Sequence, residues 1–346
     1  MRGSGGTISS VQGSVDPDEF DRALVDALQA RPRAPWSELG RVLRADPSTV
    51  ARRWARLESA GVAWLSAYAA PELTWVAHVD VDCEAGAVDE VAARLCQEEC
   101  VFSVERVAGG CDLRASITAL DAGSLHDLVN RRVVVDGVRA ARTRLALSTF
   151  REGGEWTMRA LEPEQRRALA NPDPRETGPW TDLHRDARIV HELDAEPRIS
   201  FADLAERLGV SEATARRRCV RLEFDGHIVI RCDTAPVVTG EHTVATFRMS
   251  APSRRLSEIG RNLSALAHVR LCVAVSGEGN LMVISWLPDV ADVVDFETEV
   301  GSEFPDLQVL ERDVTLRAHK RMGKILDERG RNVGQVPMRT WQVGAG

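Results

Sequence analysis

Two stretches of the chain set hydroxyl residues and arginines at helical spacing: Ser48 and Thr49 with Arg52, Arg53 and Arg56, and Thr214 with Arg216, Arg217, Arg218 and Arg221. If each stretch is a helix, Val50, Trp54 and Leu57 fall on one side and Ser48, Thr49, Arg52 and Arg56 on the other. Likewise Ala215, Cys219 and Leu222 oppose Thr214, Arg217 and Arg221, with Arg216 and Arg218 flanking the polar face. Arg53 sits at the edge of the apolar stripe, a place suited to bracing the domain. A guanidinium fork matches phosphate oxygens and the acceptor edge of guanine, and the free N–H groups of a helix start attract phosphate. A charge run alone is ordinarily a solvated helix face. Hydroxyls at the start, arginines one and two turns on, and the same layout twice point instead to double-stranded DNA.

Catalytic and metal chemistry find no comparable pattern. His78, His126, His242 and His268 stand in no constellation with a nucleophile or carboxylate. The seven cysteines (Cys83, Cys96, Cys100, Cys111, Cys219, Cys232, Cys272) form no CxxC pair and no zinc spacing, and read as small buried hydrophobes in a reducing compartment. No catalytic residue, metal ligand or cofactor is assigned. A net charge of −8 argues against indiscriminate coating of nucleic acid, but not against a specific binder with concentrated basic residues. Lys320 and Lys324 are the only lysines, so nearly all positive charge is arginine. No apolar run approaches the ~20 residues of a membrane span. The Gly- and Ser-rich start lacks a signal-peptide core, and a cytoplasmic location is expected.

The elements that must position these arginines come in duplicate. Pro32 matches Pro197, an offset of 165, and that offset aligns Asp21 with Asp186, Leu28 with Leu193, Trp36 with Phe201, Leu43 with Leu208, Arg52 with Arg217 and Gly61 with Gly226. Gly109 to Leu113 then lies over Gly277 to Leu281 at offset 168. Each copy opens with three short helices; in the second these are Asp186 to Leu193, Phe201 to Leu208 and Glu212 to Phe224. Gly209-Val210-Ser211 supplies the tight turn and the cap, and Gly226 the stop. The first copy has Arg44 where the second has Gly209, a turn position that favours positive φ. After each trio the pattern changes to βαββαβ: Val76 to Asp82, Ala87 to Gln97, Val101 to Val107, Leu113 to Leu120, Ser124 to Arg131 and Val138 to Leu147 in the first copy. That order implies an antiparallel ferredoxin-like sheet with helices on one face, the other face being covered by the second copy.

The fold class is therefore α+β: two winged-type helix-turn-helix domains, each followed by a ferredoxin-like βαββαβ effector domain. The expected division is a tail at 1–15, helix-turn-helix at 16–67 and effector domain at 72–150. A linker at 151–180 follows, then helix-turn-helix at 181–232, effector domain at 240–318 and a tail at 319–346.

Helix-turn-helix followed by βαββαβ resembles the leucine-responsive/AsnC (feast/famine) family of transcriptional regulators. The resemblance is carried by Asp186, Ile189, Leu193, Leu204-Ala205, Leu208-Gly209-Val210-Ser211, Thr214, Arg218, Arg221-Leu222-Glu223 and Gly226-His227-Ile228. It covers most of the chain, taken twice. It implies a regulator responding to an amino acid or related metabolite, with Gly110, Asp112, Gly279 and Asn280 in the turns where the family places its effector. The same turns can equally be plain strand connections. Duplication implies an intramolecular pseudo-dimer, open to homo-oligomerisation, reading an imperfect palindromic operator with half-sites one or two helical turns (~34 Å each) apart. Two other readings stand beside this one: a siroheme decarboxylase-like enzyme of haem biosynthesis, and a regulator that senses a metabolite without binding DNA. The Tyr-Asn-x-Trp-type run associated with the former is missing, the only tyrosine being Tyr68.

Overall fold

The computed structural model describes residues 16–169 and 183–339, and for 183–185 the backbone alone. The expected 1–15 tail, residues 170–182 of the linker and the last seven residues lie outside the described residues.

The first three helices are α1 (Glu19–Ala30), α2 (Trp36–Leu43) and α3 (Pro47–Ser59). Asp18 caps α1 in a reciprocal box, its carboxylate accepting from Asp21 N at 2.9 Å while Asp21 accepts from Asp18 N at 3.1 Å. Arg44 ends α2 in the left-handed region at φ 54, and Asp46 then caps α3 with Pro47 as its first residue. Leu24, Leu28, Leu39, Val50, Trp54 and Leu57 close the core between them. A strand β1 (Ala63–Ala69) follows.

The sheet domain comes next: β2 (Trp75–Cys83), α4 (Val88–Gln97), β3 (Val101–Ala108), β4 (Leu113–Ala119), α5 (Ala122–Leu128) and β5 (Val138–Arg151). A short α6 (Pro163–Ala168) leads to the second trio, α7 (Leu183–Ala195), α8 (Phe201–Leu208) and α9 (Glu212–Phe224). Gly209, at φ 68, makes the turn that Arg44 makes in the first copy. The chain then forms β6 (Ile228–Thr234), one turn α10 (Pro236–Thr239), β7 (Thr243–Ser250), α11 (Leu256–Ala265), β8 (Val269–Val275), β9 (Leu281–Leu287), α12 (Asp292–Glu303) and β10 (Gln308–Arg321). Two short strands, β11 (Lys324–Leu326) and β12 (Asn332–Gln335), extend the edge beside β10.

Each sheet domain has the ferredoxin-like order, and the two join edge to edge. β5 pairs with β8 and β10 pairs with β3, so the last strand of each copy lies beside the second strand of the other. Because β10 also pairs with β7, the ring β10-β3-β4-β2-β5-β8-β9-β7 closes into an eight-stranded antiparallel barrel. Closure removes the exposed edges that two separate four-stranded sheets would carry. The repeat is exact in register: Trp75 faces Ala119 as Thr243 faces Leu287, both shifted by 168.

The helices cover the outside. Ala77, Val79 and Val81 of β2 and Leu113, Ala115 and Ile117 of β4 pack under Val91, Leu95 and Leu125; Phe247, Met249, Leu281 and Val283 do the same under Ile259, Leu263 and Phe296. With period two, the alternate residues of each strand point into the barrel.

The helix-turn-helix units are joined by their trailing strands. β1 pairs antiparallel with β6 from Ala63↔Thr234 to Ala69↔Ile228, with Ser66 opposite Arg231 at the centre. The wing strand of each copy therefore finds its partner in the other copy.

Two expected segments are more ordered than their composition suggests. Within the expected 319–346 tail, the described residues 319–339 pack onto the fold: Lys320 is fully buried and donates to the Glu98 carbonyl at 2.9 Å, Lys324 donates to Gln335 Oε1 at 2.5 Å, and Met338 is buried. Gly323, at φ 77, turns the chain back between them. In the expected linker, Trp156 donates to the Ala267 carbonyl at 2.9 Å, and Leu161 and Leu169 enter the first helical core. In the C-terminal stretch polar spacing hides this order, because each lysine tip finds a partner inside the fold.

Candidate functional site

Helices α3 and α9 carry the residues singled out for DNA, and their side chains divide into braced and exposed. Arg53 pairs with Asp18 at 2.5 Å and Asp21 at 3.2 Å, and lies 5.5 Å over the Phe20 ring. Arg56 pairs with the same fully buried Asp21. In the second copy Arg221 reaches Asp225 at 3.1 Å, while Arg216 holds Glu212 at 2.9 Å and stacks 4.7 Å over Phe201. Arg218 is half-buried. Arg52 and Arg217, equivalent under the offset of 165, are exposed and have no ion pair among the described residues. At the helix starts, Ser48 Oγ contacts the Asp46 carboxylate at 2.6 Å and Thr214 Oγ1 contacts Ser211 Oγ at 2.9 Å, so both hydroxyls take part in capping.

A reciprocal arginine clasp sets the two helical units against each other. Arg33 donates to the carbonyls of Pro197 at 2.5 Å and Ile199 at 2.9 Å. Arg198, its equivalent, donates to those of Pro32 and, at 2.7 Å, Ala34. Each guanidinium also covers the aromatic residue that opens the other copy's second helix: Arg198 lies 3.8 Å over Trp36 and Arg33 lies 5.0 Å over Phe201. Burial, with Arg33 nearby, pushes Arg198 down to about 10. Together with the β1–β6 ribbon, the clasp fixes the placement of α3 relative to α9.

The residues expected at the effector turns serve the fold. Gly110 N–H donates to Asp313 of the second copy at 2.9 Å and its carbonyl accepts from Arg142 at 3.1 Å. Asp112 accepts from Cys83 N at 2.8 Å. Asn280 clamps Ala251 with both ends of its amide, at 2.9 and 2.8 Å, and Gly279 takes φ 74. An effector at these turns meets side chains already committed.

What the sequence reading missed is the barrel interior. Asp80 accepts from Arg114 at 3.1 Å, from Arg248 at 2.7 Å and from Arg144; Arg114 also pairs with Asp313. Burial pushes the Asp80 carboxyl up, but Arg114, Arg248 and Arg144 outweigh it and hold it below its ordinary value. Asp80 and Arg248 are the same position in the two copies, so the network joins them through opposite charges. His78, named earlier only as an isolated histidine, is buried beside it with Nδ1 2.9 Å from Ser116 Oγ. Burial, reinforced by Arg114, pushes it down to about 4. Alternation in Leu113-Arg114-Ala115-Ser116-Ile117-Thr118 was the available signal, but such a pattern ordinarily marks a strand with one face in water. Cys96 and Cys100 are buried, Cys100 lying beyond the end of α4, and burial pushes both thiols up to about 11. Among the described residues no helix is long and apolar enough to cross a membrane.

Comparison with known proteins agrees with this architecture. The AsnC-type helix-turn-helix domain matches residues 18–58 and 185–223, and the Lrp/AsnC ligand binding domain matches residues 76–156. The HTH-type transcriptional regulator LrpA of Pyrococcus horikoshii is 30% identical over 114 residues, which are 32% of this chain and 79% of that protein. The chain belongs to the Lrp/AsnC family. Within this family it carries two modules where LrpA matches one. The siroheme decarboxylase NirDL subunit of Paracoccus denitrificans is 34% identical over 105 residues, 30% of this chain and 31% of that one. The crystal structure of the siroheme decarboxylase NirDL superposes with a TM-score of 0.58 at 15% identity, covering 93% of this chain and 96% of that one. At that identity the likeness is one of fold: the two-module arrangement recurs in another single chain.

Proposed function

We propose that this Lrp/AsnC chain is a sequence-specific DNA-binding transcriptional regulator whose two reading helices act as one bivalent head. The observation that carries this is the pair Arg52 and Arg217: equivalent positions, both exposed, on helices locked together by the clasp and the ribbon. Arg53, Arg56, Arg216 and Arg221 are braced by carboxylates, which orients each helix while leaving Arg52 and Arg217 exposed for phosphate or guanine, with half-buried Arg218 beside the latter. Since α3 and α9 differ in sequence, the operator is an imperfect palindrome. Gel shift at fixed salt against the DNA upstream of its own gene tests this. Arg52→Ala and Arg217→Ala should each weaken binding by about 1–3 kcal/mol, roughly five- to 150-fold. If neither does, the assigned surface is wrong.

The ligand-binding domains make the regulator responsive to a small molecule. An amino acid held at the Gly109 to Asp112 and Gly277 to Asn280 turns remains the family-based reading, and it would depend on backbone groups, given how Asp112 and Asn280 are used. The enzyme reading draws on the NirDL relative and on His78 in the barrel. Release of carbon dioxide from siroheme by the purified protein, with no affinity for promoter DNA, would establish it in place of the regulator.

A further inference from the structure

The barrel holds a partly open cavity of about 160 Å³, comparable in volume with a ~150 Å³ hole that admits benzene. Eight strands leave an interior either filled by side chains or able to hold one small ligand. Here it is not filled. One end is closed by Tyr68 and Arg231 of the β1–β6 ribbon, and Arg114, Arg270 and Arg321 stand along the wall.

Three of these arginines carry buried N–H groups without a hydrogen-bond partner: Nη1 of Arg114 and Nε of Arg231 and Arg270. The Arg114 side chain is only 3% exposed. Among the lining residues the fully buried polar atoms without a partner are all donors, so an acceptor placed there would satisfy them. Arg321 adds a charge. Its guanidinium lies 4.3 Å over Trp286, whose ring also takes Arg270 at 4.0 Å. It has no carboxylate within ion-pair distance among the described residues, and burial pushes its pKa down. Arg270 is neutralised by Glu241 at 2.8 Å, and Arg231 by Asp233 at 2.5 Å. Arg321 is half-buried, and Glu105 and Asp233 favour its charge from beyond ion-pair distance, so an anion would add the direct contact it lacks.

The wall is also polarised. Under the 168 shift, His78, Arg114, Ser116 and Thr118 of the first copy correspond to Thr246, Met282, Ile284 and Trp286 of the second. At the last three of these positions the first copy is polar and the second apolar, while at a fifth the order reverses, Phe102 of the first copy corresponding to Arg270 of the second. A symmetric homodimer would present the same half twice, whereas a tandem chain is free to make them differ.

We propose that the barrel interior binds a small carboxylic acid with an apolar, ring-sized body, its carboxylate on Arg321 and its body against Val273, Ile284 and Phe102. This deepens the regulator reading by placing the effector inside the barrel, and rests on that reading only for its consequence on DNA.

Thermal unfolding of the full chain with 3-phenylpropionate and with its neutral analogue 3-phenylpropanamide tests the site. The acid should raise Tm in a dose-dependent way and the amide should not. Arg321→Gln should weaken the acid at least about tenfold, the worth of one charge-assisted contact, while Asp112→Ala leaves it unchanged. Ile284→Trp, which fills the cavity from its apolar side without touching an ion pair, should abolish binding and serves if Arg321→Gln does not fold. Equal shifts with acid and amide, no shift with either, or loss of the shift in Asp112→Ala but not in Ile284→Trp would overturn the proposal. Failure of Arg52→Ala and Arg217→Ala to affect DNA binding would overturn the regulator reading and leave this result standing.

Discussion

Replacing Asp80 by asparagine keeps the shape of the barrel interior and removes its central negative charge. Asp80 is 3% exposed and accepts from three guanidiniums, two of copy one (Arg114, Arg144) and one of copy two (Arg248). Arg114 retains Asp313 and Arg248 retains Glu311, but Arg144 has no second carboxylate at ion-pair distance among the described residues. Breaking a buried pair by removing one partner costs about 3–5 kcal/mol, against a total of about 5–15 kcal/mol for a typical folded domain. Asp80→Asn should therefore lower the urea midpoint sharply at pH 7. A cycle with Arg248→Met should return a coupling of about 1–3 kcal/mol between the copies. Because the folded carboxyl is held below the ordinary 3.8, its contribution is fully present above that pH and is lost as pH falls further. The wild-type and Asp80→Asn curves should accordingly converge only in strong acid. A loss under about 1 kcal/mol at pH 7, within the range of solvated pairs, would show that the network does not hold the copies together.

Three further outcomes follow from the same geometry. His78 is neutral inside the barrel at about 4 against 6.5 in the unfolded chain, so stability should fall by about 3 kcal/mol as pH drops between those values; His78→Gln should flatten that window in equilibrium unfolding. Gly61 and Gly226 share a left-handed φ of 65 and 70, but a Cβ at Gly61 would lie 2.2 Å from the Asn332 carbonyl while Gly226 has open space. Gly226→Ala should cost about 1–2 kcal/mol for the backbone alone and Gly61→Ala clearly more, read from paired denaturation curves; equal costs would mean that β12 moves aside freely. Arg33→Met with Arg198→Met leaves both reading faces untouched but opens the clasp. Operator affinity should fall toward that of one head, a loss of up to about 10²-fold, and unchanged affinity would show that the ribbon alone sets the spacing.

The duplication, the two trios of helices, the buried faces of α3 and α9 and the βαββαβ order follow from local physics. Each rests on apolar spacing within a dozen residues, on caps such as Asp46 and Ser211, and on turns such as Gly209. The exposed arginines Arg52 and Arg217 were legible for the same reason. Which of their neighbours are free was not, because Asp18 and Asp21 reach Arg53 and Arg56 from more than thirty positions away. Nor was the clasp, since Arg33 and Arg198 bond to backbone carbonyls, which leave no trace in side-chain pattern. Strand alternation in β2 and β4 separated two faces and the duplication implied a cover for the second, but only tertiary closure decided that its polar residues would meet one another inside a barrel. There, Asp80 and Arg248 at one repeated position make each copy the partner of the other. The pairing energy lies in contacts across the repeat, so no single stretch of sequence contains it.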